Sequence, residues 1–345
     1  MKKILVLLTG LILCVGLFAN ITPYGSARLG WTLFENYEAM GEDGQAFILS
    51  DFRLQSNSRF GINFENGDLT ANVEVNAGFE DNETVGLNLR HLWAEKSFGK
   101  WSLLVGITED RANFVPNQIW ANDLGLIGYG AVDSGTNPMV RLNTREGFYA
   151  AFMAPTFTDD VTEDCVSFFM PKINLGWDVN FNNYPIRLYP SLTFQMLIPD
   201  EDLGNDRDSH MALLLNTTAE FDLTPEMTLT ANFNFGLNAA DMGYDGVAVG
   251  AEWDPVEEEW VSTTTIGIWM NFLYRFNAFD LNAGFGMMMH SGDDFDDSVT
   301  DMGFFLNCAF RLNDSLFLIP EFGMFMPEGD DNNEMYLGLQ LRFDF

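Results

Sequence analysis

Apolar and polar residues alternate along most of this chain with a period of two. Leu69, Ala71, Val73, Val75, Ala77 and Phe79 share one face of an extended segment, and Thr70, Asn72, Glu74, Asn76 and Gly78 share the other. The pattern returns at Met227, Leu229, Ala231, Phe233, Phe235 and Leu237, and again at Met335, Leu337, Leu339, Leu341, Phe343 and Phe345. Strict alternation places successive side chains on opposite faces of a strand. Sixteen such segments are read, near 22–34, 47–64, 69–79, 86–96, 101–108, 138–143, 147–154, 165–181, 186–197, 210–221, 227–238, 262–275, 279–289, 301–311, 316–326 and 335–345. Their length of about ten residues is what a tilted strand needs to cross a bilayer, and strands of a soluble sandwich are usually about half as long. The polar face is rich in Asn, Thr, Gly and Arg, which suits a wet lumen.

The connections alternate too. After even-numbered segments they are short, with Glu65-Asn66-Gly67-Asp68 carrying the clearest hairpin chemistry. After odd-numbered segments most are longer and acidic, as in Asp159–Asp164, Asp200–Asp208, Asp254–Glu259, Asp293–Asp297 and Glu328–Glu334. Short turns at one end and long loops at the other is the layout of a transmembrane antiparallel β-barrel. In lipid every backbone polar group needs a partner, so the sheet must close. Sixteen strands make a barrel too wide for side chains to fill, so an aqueous channel is expected.

The N-terminus fits this location. Lys2 and Lys3 precede an apolar run from Ile4 to Phe18, followed by Ala19. Residues 1–19 are read as a secretory signal peptide and 20–345 as the barrel. The formal charge is −33; residues 1–19 hold two Lys and no acid, so the mature charge is −35. Such a charge excludes nucleic acid as a partner and attracts cations. Cys165, Cys308 and the three histidines form no disulfide framework and no metal spacing. No cofactor is expected beyond loosely bound Ca²⁺ or Mg²⁺ at the acidic loops.

Certain residues resemble a family. Tyr24-Gly25-Ser26-Ala27-Arg28-Leu29-Gly30, Asn57-Ser58-Arg59-Phe60-Gly61, Arg90, Val105-Gly106 and the terminal Leu341-Arg342-Phe343-Asp344-Phe345 are similar to the general trimeric porins of Gram-negative outer membranes. The resemblance implies a homotrimer, lipid and lipopolysaccharide around the barrel, and a terminal signal, Phe345 with Phe343, read by the barrel-assembly machinery. It further implies that the long loop after the fifth strand, residues 109–137, folds into the pore. Phe114, Val115, Ile119, Trp120, Leu124, Leu126 and Ile127 make that loop too apolar for free solvation. By parity Arg28, Arg53, Arg59 and Arg90 point inward on neighbouring strands, and the resemblance sets them as a wall opposite Glu109, Asp110, Asp123 and Asp133. Two departures stand out: the loop lacks a Pro-Glu-Phe-Gly-Gly stretch, and the connection at 80–85 is too short for the subunit latch of the family.

The functional expectation is a water-filled channel for passive diffusion of small hydrophilic solutes and ions, cation-preferring and without enzymatic activity. A substrate-selective channel remains open as an alternative; its inward aromatic candidates are Tyr189, Trp269, Phe305, Phe317, Phe325 and Tyr336. A non-conducting adhesion or structural barrel is the other. An outer-membrane enzyme would need His210 or His290 beside a carboxylate or serine.

Overall fold

The alternation becomes strands in every segment that was read, although of 165–181 the part at 165–169 lies outside the described residues and the strand begins at Lys172. In this computed structural model the described residues are 20–36, 47–81, 84–111, 114–119, 125–155, 170–181, 184–197, 209–247, 250–254, 257, 259–292, 298–328 and 333–345. The expected signal segment, Asp123, Cys165 and most of the acidic loop stretches lie outside them.

The strands run in chain order as β1 (Asn20–Asn36), β2 (Phe47–Leu54, resumed at Ser58–Asn66), β3 (Leu69–Asp81), β4 (Thr84–Ser97) and β5 (Trp101–Glu109). Next come β6 (Thr136–Thr144), β7 (Phe148–Met153), β8 (Lys172–Trp177, resumed at Val179–Phe181), β9 (Ile186–Leu197) and β10 (His210–Thr224). The series ends with β11 (Met227–Leu237), β12 (Thr264–Arg275), β13 (Phe279–Ser291), β14 (Val299–Arg311), β15 (Leu316–Met326) and β16 (Glu334–Asp344). All pairings are antiparallel between sequence neighbours, and β1 pairs with β16 from Ser26↔Asp344 to Glu35↔Met335, so the sixteen-stranded sheet closes. Closure leaves no unpaired edge.

The faces divide as the alternation requires. Leu29, Trp31, Phe60, Leu87, Phe152 and Leu337 point outward and are exposed, an apolar surface that water would not tolerate and lipid would. At the short-turn end this belt becomes aromatic. Phe98 stacks on Trp101 at 4.2 Å, Phe276 on Phe279 at 4.4 Å, and Phe343 on Phe345 at 5.9 Å. Such a girdle suits the interface between acyl chains and headgroups. The turns follow local chemistry: Gly67 at φ 60° provides the left-handed residue of the Asn66-Gly67 hairpin. The seam is completed by Phe345, whose N–H donates to the Gly25 carbonyl (3.1 Å) and whose carbonyl accepts from the Gly25 N–H (2.9 Å).

Candidate channel constriction

The connection from β5 to β6, residues 110–135, packs against inward faces on the far side of the barrel. Its described apolar residues find cover there; Trp120 and Leu124 lie outside the described residues. Leu126 and Ala131 bury against Trp269 and Phe305, with Phe114, Val115, Ile127 and Tyr129 around them. Tyr129 stacks on Phe325 at 4.4 Å and Phe114 lies 4.8 Å from Tyr189. Backbone groups are satisfied by the wall: the Ile119 N–H donates to Glu321 (2.9 Å), Gln55 donates to the Ile119 carbonyl (2.7 Å), and Asn234 donates to the Gly130 carbonyl (2.7 Å). Gln118 also donates to the Tyr336 hydroxyl. The inward aromatics of the selective-channel reading thus lie mostly beneath this loop: Trp269, Phe305, Phe325 and Tyr336 are buried by it rather than set along a wet track. Phe317 instead lies under the Arg342 guanidinium at 4.5 Å.

A second segment joins the first inside the lumen. A short 3₁₀ turn, Ala239–Met242, and the residues up to Val247 follow β11 and fill the space between residues 110–135 and β9, β10 and β13. Inward residues there are dry: Thr193, Gln195, Ala212, Leu214, Asn234 and Met288 have 0% exposure.

Open space survives on the opposite side, along β2–β4. A polar cavity of about 420 Å³ lies between Arg59, Asn76, Asn88 and Arg90 on the wall and Val115, Asn117, Asp133 and Gly135 on the inward loop, with Glu109 at its margin. A larger groove of about 570 Å³ lies at Val105, Val140 and Phe152, which point outward and are exposed. It is apolar and belongs to the lipid side.

The structure brings some of the sequence candidates together. Arg90 sits at a bulge where the β3–β4 register slips between Glu74↔His91 and Val75↔Leu89. It bridges Glu74 (2.7 Å) and Glu109. The Arg59 side chain lines the cavity without an ion pair or hydrogen bond to any described residue. Asp133 faces the same cavity. Burial, reinforced by the nearby Glu109, Asp110 and Asp245, lifts its carboxyl to about 6. Asp110 lies deeper, accepting from Tyr244 (2.6 Å) and Ser134 (2.9 Å). Arg28 is buried next to β2, its backbone N–H donating to Ser58 (2.9 Å) and its Nε to Ser26 (3.0 Å), outside the cavity lining. Arg53 stands apart with Asp51 at 2.9 Å. Asp123 is outside the described residues.

Two functional groups escaped the sequence reading. Glu74, only 3% exposed, is the counter-charge of Arg90 and also accepts from the Tyr24 hydroxyl at 2.7 Å. Its place on the polar face of β3 was visible; its partner was not, because the bulge sets it. Tyr244 is the other. His210 lies 2.9 Å from Asp241 with its ring buried; Asp206 and Asp208, which the sequence sets near it, lie outside the described residues. Among the described residues no three metal-ligating side chains converge.

No protein-family model matches the sequence, and no curated protein does. Solved structures share the fold. The chain is similar to the outer membrane channel DcaP of Acinetobacter baumannii, at 15% identity and a TM-score of 0.74, over 95% of this chain and 98% of that one. Salmonella typhi OmpF, in complex with daunomycin, aligns at 10% identity and 0.65 over 94% and 97%. An anion-selective porin from Comamonas acidovorans aligns at 12% and 0.58 over 95% and 100%. The shared architecture is the sixteen-stranded porin barrel.

Proposed function

We propose that this chain is a porin of a bacterial outer membrane, a water-filled channel through which small hydrophilic solutes and ions diffuse passively. The observation that carries it is the polar cavity between Arg59 and Arg90 and the inward loop, inside a closed barrel with an apolar outer belt. Charge is arranged so that a permeating ion meets both signs at the narrowing, and such a field acts more strongly beside low-dielectric walls than in bulk.

The channel prefers cations. Arg90 is offset by Glu74 and Glu109, leaving Arg59 opposed by Asp133, while the chain as a whole carries −33. Net negative charge around a mouth concentrates cations, and the acidic loops hold Ca²⁺ or Mg²⁺ only loosely. The fold does not set this preference, since the Comamonas porin that shares it is anion-selective. Three copies assemble in the membrane, as in the trimer form of Vibrio cholerae OmpT, a barrel of the same fold. Phe345 and Phe343 form the terminal signal for barrel assembly, and lipid and lipopolysaccharide surround the belt. The dry half of the lumen favours a second reading, a channel selective by solute shape.

A planar bilayer under a KCl gradient tests the proposal. The expected record is a steady conductance, rising in threes, with a reversal potential on the K⁺ side. A Cl⁻-side potential overturns the cation preference. A folded barrel that does not conduct overturns the channel.

A further inference from the structure

In a wet lumen inward residues are polar, yet on β9, β10 and β13 the inward Leu197, Ala212, Leu214 and Met288 are apolar. They form a dock for the segment after β11. Met242 and Tyr244 fill it, with Val132 of the inward loop. The segment is held along its 3₁₀ turn: Asn238 accepts from the Thr263 N–H (2.9 Å) and donates to the Met211 carbonyl (3.1 Å), while Asp241 accepts from the Ala251 N–H (3.0 Å) and meets His210. The Lys172 ammonium donates to the Met242 carbonyl at 2.9 Å and stands 5.5 Å from the Tyr244 ring centre.

The docked segment grips the inward loop at both of its ends. At the start, the Tyr244 hydroxyl donates to Asp110 at 2.6 Å. Burial and the nearby Asp110 raise this phenol well above its ordinary range, so it stays a donor at any physiological pH. At the finish, Asp245 and Asp133 exchange backbone bonds of 2.7 and 3.2 Å. Between them the chains touch backbone to backbone: a Cβ on Gly246, at φ +80°, would fall 2.4 Å from the Gly128 nitrogen. Asp133, on the gripped stretch, is also a cavity residue.

We propose that residues 238–247 are a second constriction element, keyed to the first by Tyr244 and Gly246, and that together they set the aperture by sealing all of the lumen except the passage along β2–β4. Tyr244 is a positioning residue: it touches no solute and acts by fixing where Asp133 and the inward loop stand. Conduction through a pore responds to its diameter and to the groups along its wall, so loosening the grip widens the passage. The inference rests on the porin reading.

The test is single-channel conductance in a planar bilayer, with swelling of liposomes in a mono-, di- and trisaccharide series, for the parent, Tyr244→Phe and Gly246→Val. Tyr244→Phe keeps the ring packing and removes the hydroxyl; Gly246→Val drives the two segments apart. Folded barrels are selected by their heat-modifiable migration on SDS gels. Both variants are expected to conduct at least twice as well as the parent, and Gly246→Val to admit a larger sugar. Folded Tyr244→Phe with parental conductance and sugar limit overturns the inference even when Gly246→Val fails to fold, and lowered conductance in either folded variant does the same. A parent that does not conduct sinks the porin reading itself, which separates the two failures.

Discussion

Across the β3–β4 pair, Arg90 donates to Glu74 at 2.7 Å while its other terminal nitrogen reaches Glu109 at the end of β5. One guanidinium thus ties three neighbouring strands together at the edge of the cavity. Glu74 is almost wholly buried, and removing its partner leaves a carboxylate with the Tyr24 hydroxyl as its remaining hydrogen bond. Arg90→Ala is expected to cost about 2 kcal/mol, in the range of a lost charged hydrogen bond with a buried acceptor left behind. Urea unfolding in detergent reads this. Glu74→Gln in the Arg90→Ala background should restore part of the loss, and equal stability of all three proteins would show the pair to be inert.

Arg59 makes no direct ion pair with a described residue and shares the cavity with Asp133, so its charge is felt by whatever passes. Replacing it with Ala removes one positive charge. A unit charge at about 4 Å in water is worth about 1 kcal/mol, so the K⁺/Cl⁻ permeability ratio rises by up to roughly five-fold. Reversal potentials before and after the substitution give the ratio, and a shift toward Cl⁻ would contradict the placement of Arg59.

Asp133 makes the channel pH-sensitive. Its carboxyl is raised to about 6, mainly by burial. As pH falls from 7 to 5 it takes up a proton, the passage loses a negative charge, and cation preference declines. For stability the sign runs the same way with acid: a raised carboxyl contributes fully below its ordinary value near 4 and loses that contribution as pH climbs through 6. Asp133→Asn should hold selectivity at its acid level across this window. A parent whose reversal potential does not move between pH 7 and 5 rules the assignment out.

Glu321 anchors the tip of the inward loop. It accepts from the Ile119 N–H at 2.9 Å, from Asn307 at 2.8 Å and from the Tyr336 hydroxyl at 2.9 Å. Glu321→Ala removes the acceptor of the Ile119 and Tyr336 donors, each worth about 1 to 3 kcal/mol when left buried and unpaired, and leaves the Asn307 amide only the Asn117 carbonyl. The expected phenotype is a noisier open channel and faster protease cleavage within 110–135, with the barrel intact. Parental noise and cleavage rates would mean that the apolar bed alone holds the loop.

The barrel was legible because its physics is repetitive. Every lipid-crossing strand needs one apolar face, and residues such as Leu69 to Phe79 carry that demand visibly. Parity also set Arg59 and Arg90 on the inward face, and both line the cavity. It stopped at places where alternation fails. The slip beside Arg90 shifts the inward set of β4 from Asn88 to His91, and nothing in the local sequence announces a bulge. The docked segment did leave a trace. Leu213-Leu214-Leu215, Met287-Met288-Met289 and Phe304-Phe305 are consecutive apolar runs, which a strand carries when both of its faces are covered. Lipid covers one face and the inward segments cover the other, through Leu214, Met288 and Phe305.

The seam between β1 and β16 has a kinetic consequence. Ser26 and Asp344, bonded at 2.8 Å, are 318 residues apart in sequence, whereas every other strand pairs with the strand next to it in the chain. Joining ends that far apart costs about 5 kcal/mol of chain entropy by the logarithmic scaling of loop closure, before any contact rewards it. Successive strands close shorter loops, from a few residues up to the length of 110–135, at about 1 to 3 kcal/mol each. Assembly therefore runs as a growing curved sheet whose two edges stay open until the end, and the Gly25–Phe345 hydrogen bonds are among the last to form.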